Sequence, residues 1–358
     1  MKNLYIHIPF CKSKCDYCAF FSVTAADSAQ TYIDYLEFKL SQNAKHPFET
    51  IYIGGGTPTL LNMNLLQKLL AALHKYIDFS NIKEFSIESN PETLDCDKIR
   101  LLQDYGVSRL SMGVQSFKEH HRRTLGRICS QQAIINALSA LEKHPFKHFN
   151  IDLIYGIPGQ TVNDFADDLE QIKNAGCDHF SAYNLTLEEQ TALASSGIEP
   201  DEDAACEMYE YAGNFHPFRR YEISNYAVSE ESECLHNSNV WRGGTLLGLG
   251  PSAASFDGID RWTEVYDIEK VIAGTPPEID KISPEKRQME IFAVNLRTVR
   301  GWHRTEWEKI SPFFWNTMLQ KAACAAKLYP GCLVIEPDNI RLSEQGMLFW
   351  NEISMELL

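Results

Sequence analysis

Three cysteines fall close together near the N-terminus, in Cys11-Lys12-Ser13-Lys14-Cys15-Asp16-Tyr17-Cys18. Thiolates with gaps of three and two residues can wrap one corner of a cubane iron–sulfur cluster, whereas an all-protein cluster takes four cysteines. Phe20 stands where a fourth could follow, and the next cysteine is Cys96. A 4Fe–4S cluster on Cys11, Cys15 and Cys18 would keep one iron open for an exchangeable ligand. Two other chemistries use closely spaced cysteines. Structural zinc usually adds a second Cys or Cys/His pair about fifteen to twenty residues further on, and none is present. A redox pair of the thioredoxin kind, Cys15 with Cys18, opens a helix and has no use for Cys11.

The elements around the cysteines place them. Leu4-Tyr5-Ile6-His7-Ile8 alternates apolar and polar and stops at Pro9, so the cysteines follow the end of a short strand. A helix is predicted over 30–40, then a strand at 50–53 running into Gly54-Gly55-Gly56-Thr57-Pro58. Further strands are expected at 84–88, 109–114, 150–155 and 179–185, with helical patterns between them. Gly106 ends one helix, and Thr161 caps another whose Val162, Phe165, Leu169 and Ile172 share one stripe.

Six such strand–helix units predict parallel strands with right-handed crossovers. They are too few for a closed eight-fold barrel and suit an open, partial (β/α)6 barrel, an α/β fold. Chemistry on such a fold belongs at the C-terminal ends of the strands. The cysteines follow the first strand, the glycine run the second, Glu88 ends the third and Gln115 the fourth. Asp152 lies within the fifth, where an inward side chain reaches the same cavity. The glycine run is neither G-x-G-x-x-G nor a P-loop, which argues against nucleotide phosphate binding. Its glycines let backbone amides approach a ligand closely, and Thr57 adds a hydroxyl.

Composition narrows the classes. The chain has 358 residues, 44% hydrophobic and 23% charged, with a formal net charge of −15. That balance, without a basic patch, argues against nucleic acid as a partner. No apolar run approaches the ~20 residues of a transmembrane helix, and the start lacks a signal-like segment. Ten cysteines in such a chain read as reactive or buried thiols rather than a disulfide framework. The expectation is a cytoplasmic protein.

C-x3-C-x-Y-C after a short strand, followed by GGGTP, resembles the cluster loop and glycine element of radical S-adenosylmethionine (SAM) proteins. In that superfamily the amino acid part of SAM chelates the open iron, and the glycine element holds the SAM amino group. Strings such as SMGVQSF, LGRICS and FNIDLIYGIPGQT resemble the coproporphyrinogen III dehydrogenase branch. The intervals between Tyr5, the three cysteines, Tyr17, Gly55, Gly56, Thr57, Glu88, Gln115, Arg127 and Asp152 are similar to that branch as well. The resemblance implies that these residues contact the cluster and the amino acid, ribose and adenine of SAM. The residue types suit the roles: Arg127 can hold a carboxylate, and the acidic residues can accept from ribose hydroxyls. Taken singly, Arg127 also reads as a surface ion pair, Glu88 as a cap beside Pro91 and Gln115 as a turn.

Three domains are expected: the barrel over 1–190, a connecting segment over 191–260, and a C-terminal domain over 261–358. The connecting segment carries YEISNYA and then His236-Asn237-Ser238-Asn239-Val240-Trp241. A lone His before Asn usually forms a loop hydrogen bond, but this pair of strings resembles the HNxxYW heme-binding segment of HemW-type heme chaperones. Val240 replaces the tyrosine. The resemblance implies an imidazole for iron at His236 and an indole for the porphyrin face at Trp241. In the C-terminal region, a helix over 284–296, a hairpin around Pro337-Asp338-Asn339 and a last helix from Ser343 to Met355 suggest a winged-helix-like module. Without a basic recognition stripe, its expected duty is docking or closure rather than DNA binding.

Two functions follow from the resemblance. One is a heme chaperone that binds the cluster, SAM and heme and passes heme to an acceptor protein, with an acceptor at a membrane compatible. The other is an oxygen-independent coproporphyrinogen III dehydrogenase, which decarboxylates propionate side chains by radical chemistry. An electron donor is implied wherever SAM is cleaved. The dehydrogenases resemble C-x3-C-x2-C-x-C and carry a longer N-terminal segment over the substrate. Here Phe20 takes the last cysteine's place and ten residues precede Cys11, so the carrier is expected.

Overall fold

Polar and apolar residues alternate along most of the first six strands, and the fold assigns each set one face. The structure, a computed structural model, describes residues 1–25 and 27–358. Its first half runs β1 (Asn3–Ile8), α1 (Ala29–Gln42), β2 (Thr50–Gly55), α2 (Met63–Tyr76), β3 (Glu84–Ser89) and α3 (Cys96–Asp104). It continues through β4 (Arg109–Gln115), α4 (Glu119–Thr124), α5 (Gln131–Lys143), β5 (His148–Tyr155), α6 (Val162–Asn174) and β6 (His179–Asn184). The six strands pair in parallel and in chain order. Leu4, Ile6, Ile51, Ile53, Phe85, Ile87, Leu110, Met112, Ile151 and Leu153 are buried in the core that the helices cover with Leu36, Leu69, Leu102, Ala137 and Leu169. The alternate positions (Tyr5, Tyr52, Ser86, Ser111, Asp152) therefore line the inside of an open barrel. Side-chain caps start the helices: Asn62 on α2, Asp95 on α3, Ser130 on α5, and a capping box of Thr161 with Asp164 on α6.

The sheet runs beyond the six expected strands in both directions. After α7 (Glu202–Gly213), β7 (Arg219–Arg220) and β8 (Asn225–Ala227) add antiparallel strands outside β6. Beyond α8 (Leu235–Trp241), β9 (Leu246–Leu249) pairs in parallel with β1, Asn3 facing Leu246. Next, β10 (Ala254–Phe256), β11 (Arg261–Thr263), α9 (Ile268–Ile272) and β12 (Glu278–Asp280) follow, the three strands stacking antiparallel outward from β9. A twelve-stranded sheet results, seven of its strands parallel. Residue 260, expected as a domain boundary, lies between two paired strands. The physical reason is the edge: β1 would otherwise present unpaired backbone groups, and β9 satisfies them.

The C-terminal region has α10 (Pro284–Asn295), β13 (Trp302–His303), α11 (Arg304–Ile310), α12 (Trp315–Leu328), β14 (Leu333–Glu336), β15 (Asn339–Leu342), α13 (Glu344–Leu348) and α14 (Trp350–Leu357). The strands form a small sheet in the order β13-β15-β14, and Phe292, Trp302, Trp307 and Trp315 make its aromatic centre with the helices. Helices packed on a small three-stranded sheet agree with the winged-helix-like expectation. The last helix is broken, however, because Phe349 N–H turns back to the Gly346 carbonyl at 3.1 Å and closes α13. Among the described residues no helix is long and apolar enough to cross a membrane.

Candidate functional site

The cysteine loop is fixed at several points. At its ends Cys11 N–H donates to Val23 O at 2.9 Å and Val23 N–H to Pro9 O at 2.7 Å. In its middle Asp16 N–H donates to Leu125 O (3.0 Å), while Asp16 O accepts from Leu193 N–H (2.8 Å). Gly126, at φ +66°, exists to let Asp16 approach; a Cβ there would overlap the Asp16 carboxylate. Cys11, Cys15 and Cys18 are unpaired and line one small cavity with Tyr17, Thr57, Asn90, Glu92 and Arg127. Two donors aim at the sulfurs: Arg127 Nη1 lies 3.8 Å from Cys15 Sγ, and Thr57 Oγ1 3.9 Å from Cys11 Sγ. Burial pushes the Cys15 and Cys18 thiols up, with Arg127 pulling both back.

The glycine run forms the wall beside this loop. Gly56 N–H donates to Ile8 O and Thr57 N–H to Phe10 O, both at 2.8 Å. A Cβ on Gly56 would stand 2.7 Å from Phe10 O and 3.0 Å from Cys11 Sγ, so only glycine permits this approach. Gly55, at φ +111°, clears the His7 ring. A Cβ on Gly54 would meet the Glu88 carboxyl at 2.9 Å. Glu88 accepts from Tyr52 O–H at 2.8 Å and from Gly55 N–H at 3.0 Å. Burial pushes its pKa up to about 7; the Tyr52 hydrogen bond opposes the rise and nearby Asp152 adds to it.

Arg127, Asn90, Gln115 and Gly113 meet on the same rim. Arg127 Nη2 donates to Asn90 Oδ1 at 2.6 Å and to the Gly113 carbonyl, and Asn90 Nδ2 donates to Thr57 Oγ1 at 2.8 Å. A Cβ at Gly113 would touch Gln115, Asn90 and Arg127 together. Among the described residues Gln115 is one of two non-glycine residues with positive φ, +70°, and β4 slips register against β5 there. That strain, of order 1–3 kcal/mol, turns its buried side chain back over the strand end. Asp152 accepts from Ser111 Oγ (2.9 Å) and Asn150 Nδ2 (2.8 Å), in register with Gly113. Tyr5 O–H donates to His7 Nδ1 at 3.0 Å, since His7 Nε2–H is committed to the Phe21 carbonyl at 2.9 Å. Residues at the ends of β1 to β4 thus gather on one rim, with Asp152 below them within β5.

His7, Asn90, Gly113 and Gly126 join the site without having been singled out by sequence. The signal for Asn90 was its place beside Glu88 and before Pro91. His7 carried none, because it shares the alternating pattern of every strand residue.

His236 lies elsewhere. Instead of the rim, α8 places it under the barrel, at the N-terminal ends of the strands. It is buried, its Nδ1 is 2.8 Å from Thr50 Oγ1, and its ring packs 5.1 Å from Tyr52. Burial pushes its pKa down to about 4 against the opposing pull of Glu84, leaving a neutral imidazole. Glu84 caps α8 by accepting from His236 N–H (2.9 Å) and Leu235 N–H (3.1 Å), and it pairs with buried Arg109 at 2.9 Å. Arg109 Nη2 in turn holds the Ser232 and Glu233 carbonyls. Trp241 takes a different direction from His236: its ring neighbours Tyr221 and lies under the Arg297 guanidinium at 4.6 Å. The motif's imidazole and indole therefore have separate surroundings, because five residues of helix turn them to different sides.

The residues fit the groups that the loop implies. Three unpaired thiols with a guanidinium and a hydroxyl turned to the sulfurs suit a thiolate-held cluster. Arg127 Nε is buried and lacks a partner among the described residues, a donor available to a carboxylate on the rim. At the other end, the neutral imidazole of His236 is only 4% exposed, enclosed between Thr50 and the Tyr52 ring.

Comparison with known proteins agrees. The pattern of the Radical SAM superfamily matches residues 5–172. Heme chaperone HemW of Haemophilus influenzae is 30% identical over 371 aligned positions, covering 98% of this chain and 96% of that protein. Heme chaperone HemW of Mycobacterium tuberculosis is 33% identical, covering 99% and 94%. The solved structure of coproporphyrinogen III oxidase from Escherichia coli superposes with a TM-score of 0.83 over 99% of this chain and 90% of that one, at 22% identity, which shows a shared fold. Barrel and cysteine loop define a radical SAM protein. Within that superfamily, the chain belongs to the HemW heme chaperone family.

Proposed function

We propose that this protein is a cytoplasmic heme carrier that holds a 4Fe–4S cluster on Cys11, Cys15 and Cys18, binds SAM on the adjoining rim, ligates heme through His236 and passes heme to an acceptor protein. The observation that supports the reading is the neutral imidazole of the HemW-like motif beneath a barrel whose opposite rim gathers the three thiols, Thr57 and Arg127 around one cavity. On that rim, Gly55, Gly56 and Thr57 offer backbone groups and a hydroxyl to the SAM amino acid. Glu88 and Asp152 accept from its ribose hydroxyls. Arg127 and Gln115 hold its carboxylate end, while Tyr5 and Tyr17 wall the cavity. A cluster with SAM on its open iron supplies one-electron chemistry, for which an external electron donor is the partner.

The carrier is tested by hemin titration of wild type against His236→Ala, beside an assay with coproporphyrinogen III, SAM and reductant. Heme binding that depends on His236, without decarboxylation, is expected. Porphyrinogen turnover with hemin binding indifferent to His236 would reverse the assignment in favour of the dehydrogenase. The gathering of Thr57, Arg127 and the three thiols around one cavity is the observation that favours that second reading.

A further inference from the structure

Two imidazoles and a carboxylate meet where α4 packs against the start of α6. His120 and His121 are neighbours on α4, with ring centroids 4.0 Å apart. Asp164 comes from the first turn of α6. One ligand atom from each of the three lies within 4.8 Å of the other two. His121 is 1% exposed, and neither of its ring nitrogens has a hydrogen-bond partner among the described residues, although Nε2 stands 3.4 Å from Asp164 Oδ2. Buried polar groups are nearly always paired, so an imidazole held in this way calls for a ligand. Donor atoms bound about 2.0–2.2 Å from one tetrahedral ion stand about 3.4 Å from each other. His121 and Asp164 have that separation, and His120, being exposed, is free to turn and close the remaining gap.

We propose that His120, His121 and Asp164 bind one zinc ion, with water completing the shell. Imidazole nitrogens with a single carboxylate suit zinc, whereas magnesium and calcium take oxygen ligands. The carboxylate is held from behind, as ligating carboxylates usually are: Thr161 O–H donates to Asp164 Oδ2 at 2.7 Å and Thr161 N–H at 3.1 Å. Lys118 Nζ reaches Asp164 Oδ1 only at 3.9 Å and is engaged by Asp167 at 2.6 Å, so the competing cation has its own partner. Burial, helped by His120, lowers the His121 pKa against the pull of Asp164 and keeps the imidazole in its ligating, neutral form. None of the three residues lines the cysteine cavity, so this site is separate from that of the cluster. It adjoins it through α4, however. Leu125, just past that helix, accepts from Asp16 N–H of the cysteine loop, and Arg122 holds the Ser116 and Cys129 carbonyls. A bound ion would brace against α6 the segment that carries Arg127.

The test is equilibrium dialysis of the full-length, tag-free protein against zinc after anaerobic cluster reconstitution, which keeps Cys11, Cys15 and Cys18 occupied. X-ray absorption at the zinc edge then reads the shell. One zinc per chain is expected, with nitrogen and oxygen ligands at about 2.0–2.1 Å and without sulfur at about 2.3 Å. His120→Ala alters an exposed side chain and is expected to weaken zinc binding at least about tenfold, as is His121→Gln. Zinc should raise the thermal midpoint of the wild type and leave that of His120→Ala unmoved. Failure of the wild type to take up zinc, a sulfur shell, or equal affinity in wild type and His120→Ala would each overturn the proposal. Because His120 is exposed, the last comparison stands even should His121→Gln not fold.

Discussion

Arg127 Nη1 stands 3.8 Å from Cys15 Sγ, joining two residues 112 positions apart in the chain. The guanidinium also holds Asn90 and the Gly113 carbonyl, so it ties the cysteine loop to the ends of β3 and β4. Lysine cannot reproduce this planar fork. With charge-assisted hydrogen bonds contributing about 1.5–3 kcal/mol each, Arg127→Lys should weaken SAM binding at least roughly tenfold. Calorimetric titration of SAM into the reconstituted protein measures this; unchanged affinity would remove Arg127 from the SAM site.

Gly56 is required by space rather than by dihedral freedom. In Gly56→Ala the new methyl meets the Phe10 carbonyl at 2.7 Å, a backbone atom that cannot swing aside, and Cys11 Sγ at 3.0 Å. Overpacking of this kind costs about 1–3 kcal/mol. Iron and acid-labile sulfide per chain should fall clearly after anaerobic reconstitution while far-ultraviolet circular dichroism stays native. Full cluster loading in this variant would show that the loop does not sit against the glycine run.

Glu88 gives a pH dependence with a definite sign. Burial holds its carboxyl up at about 7 against an ordinary 4.5, so the folded protein binds this proton more tightly than the unfolded chain. Its contribution to stability is complete below the ordinary carboxylate range and is lost as pH rises through 7. Glu88→Gln should therefore gain on wild type between pH 5 and 8, by up to about 3 kcal/mol in urea denaturation. SAM affinity should rise with pH over the last part of that window in wild type, because ribose hydroxyls need the carboxylate, and should be flat in the variant. Parallel curves for the two proteins would contradict the assignment.

The floor of the barrel depends on Glu84 and Arg109. Burial alone would raise the Glu84 pKa, but Arg109 and the backbone N–H groups of His236 and Leu235 outweigh it and leave it below the usual range. Removing one partner strands the other charge, at a cost of about 3–5 kcal/mol. Arg109→Met should lower the urea midpoint accordingly and loosen the start of α8. The double variant Glu84→Leu/Arg109→Met should recover part of the loss. A single variant as stable as wild type would mean that the pair does not hold α8.

Much of the site was legible because its signals are local. Cys11, Cys15 and Cys18 lie on one loop, so their spacing alone constrains their geometry, and Gly54 to Thr57 follow β2 directly. Strand-end position then brought Glu88 and Gln115 to the same side, since parallel strands with helical crossovers keep their C-terminal ends together, and alternation turned Asp152 of β5 inward below them. The segment after residue 190 was less legible. β9 has four residues and β10 and β11 three each, too short for periodicity, and they are strands because the edge of β1 offers hydrogen bonds.

The sequence by itself determined the cysteine loop, the glycine wall, the order of the strand–helix units and the alternation of each strand. These depend on neighbours a few residues apart, where spacing is geometry. Only the tertiary structure decided that the polar face of each strand is the inside of the barrel. Nor could spacing show that His7 locks Tyr5 to Phe21, or that Asn90 joins Thr57 to Arg127. His236 is the clearest case: as a motif it reads as a loop residue, but folded it is a buried imidazole on α8, 2.8 Å from Thr50 Oγ1. Thr50 lies 186 residues from His236 in the chain. A hydrogen bond across that interval exists only once β2 and α8 have closed the floor of the barrel, because its partners are set by packing rather than by spacing.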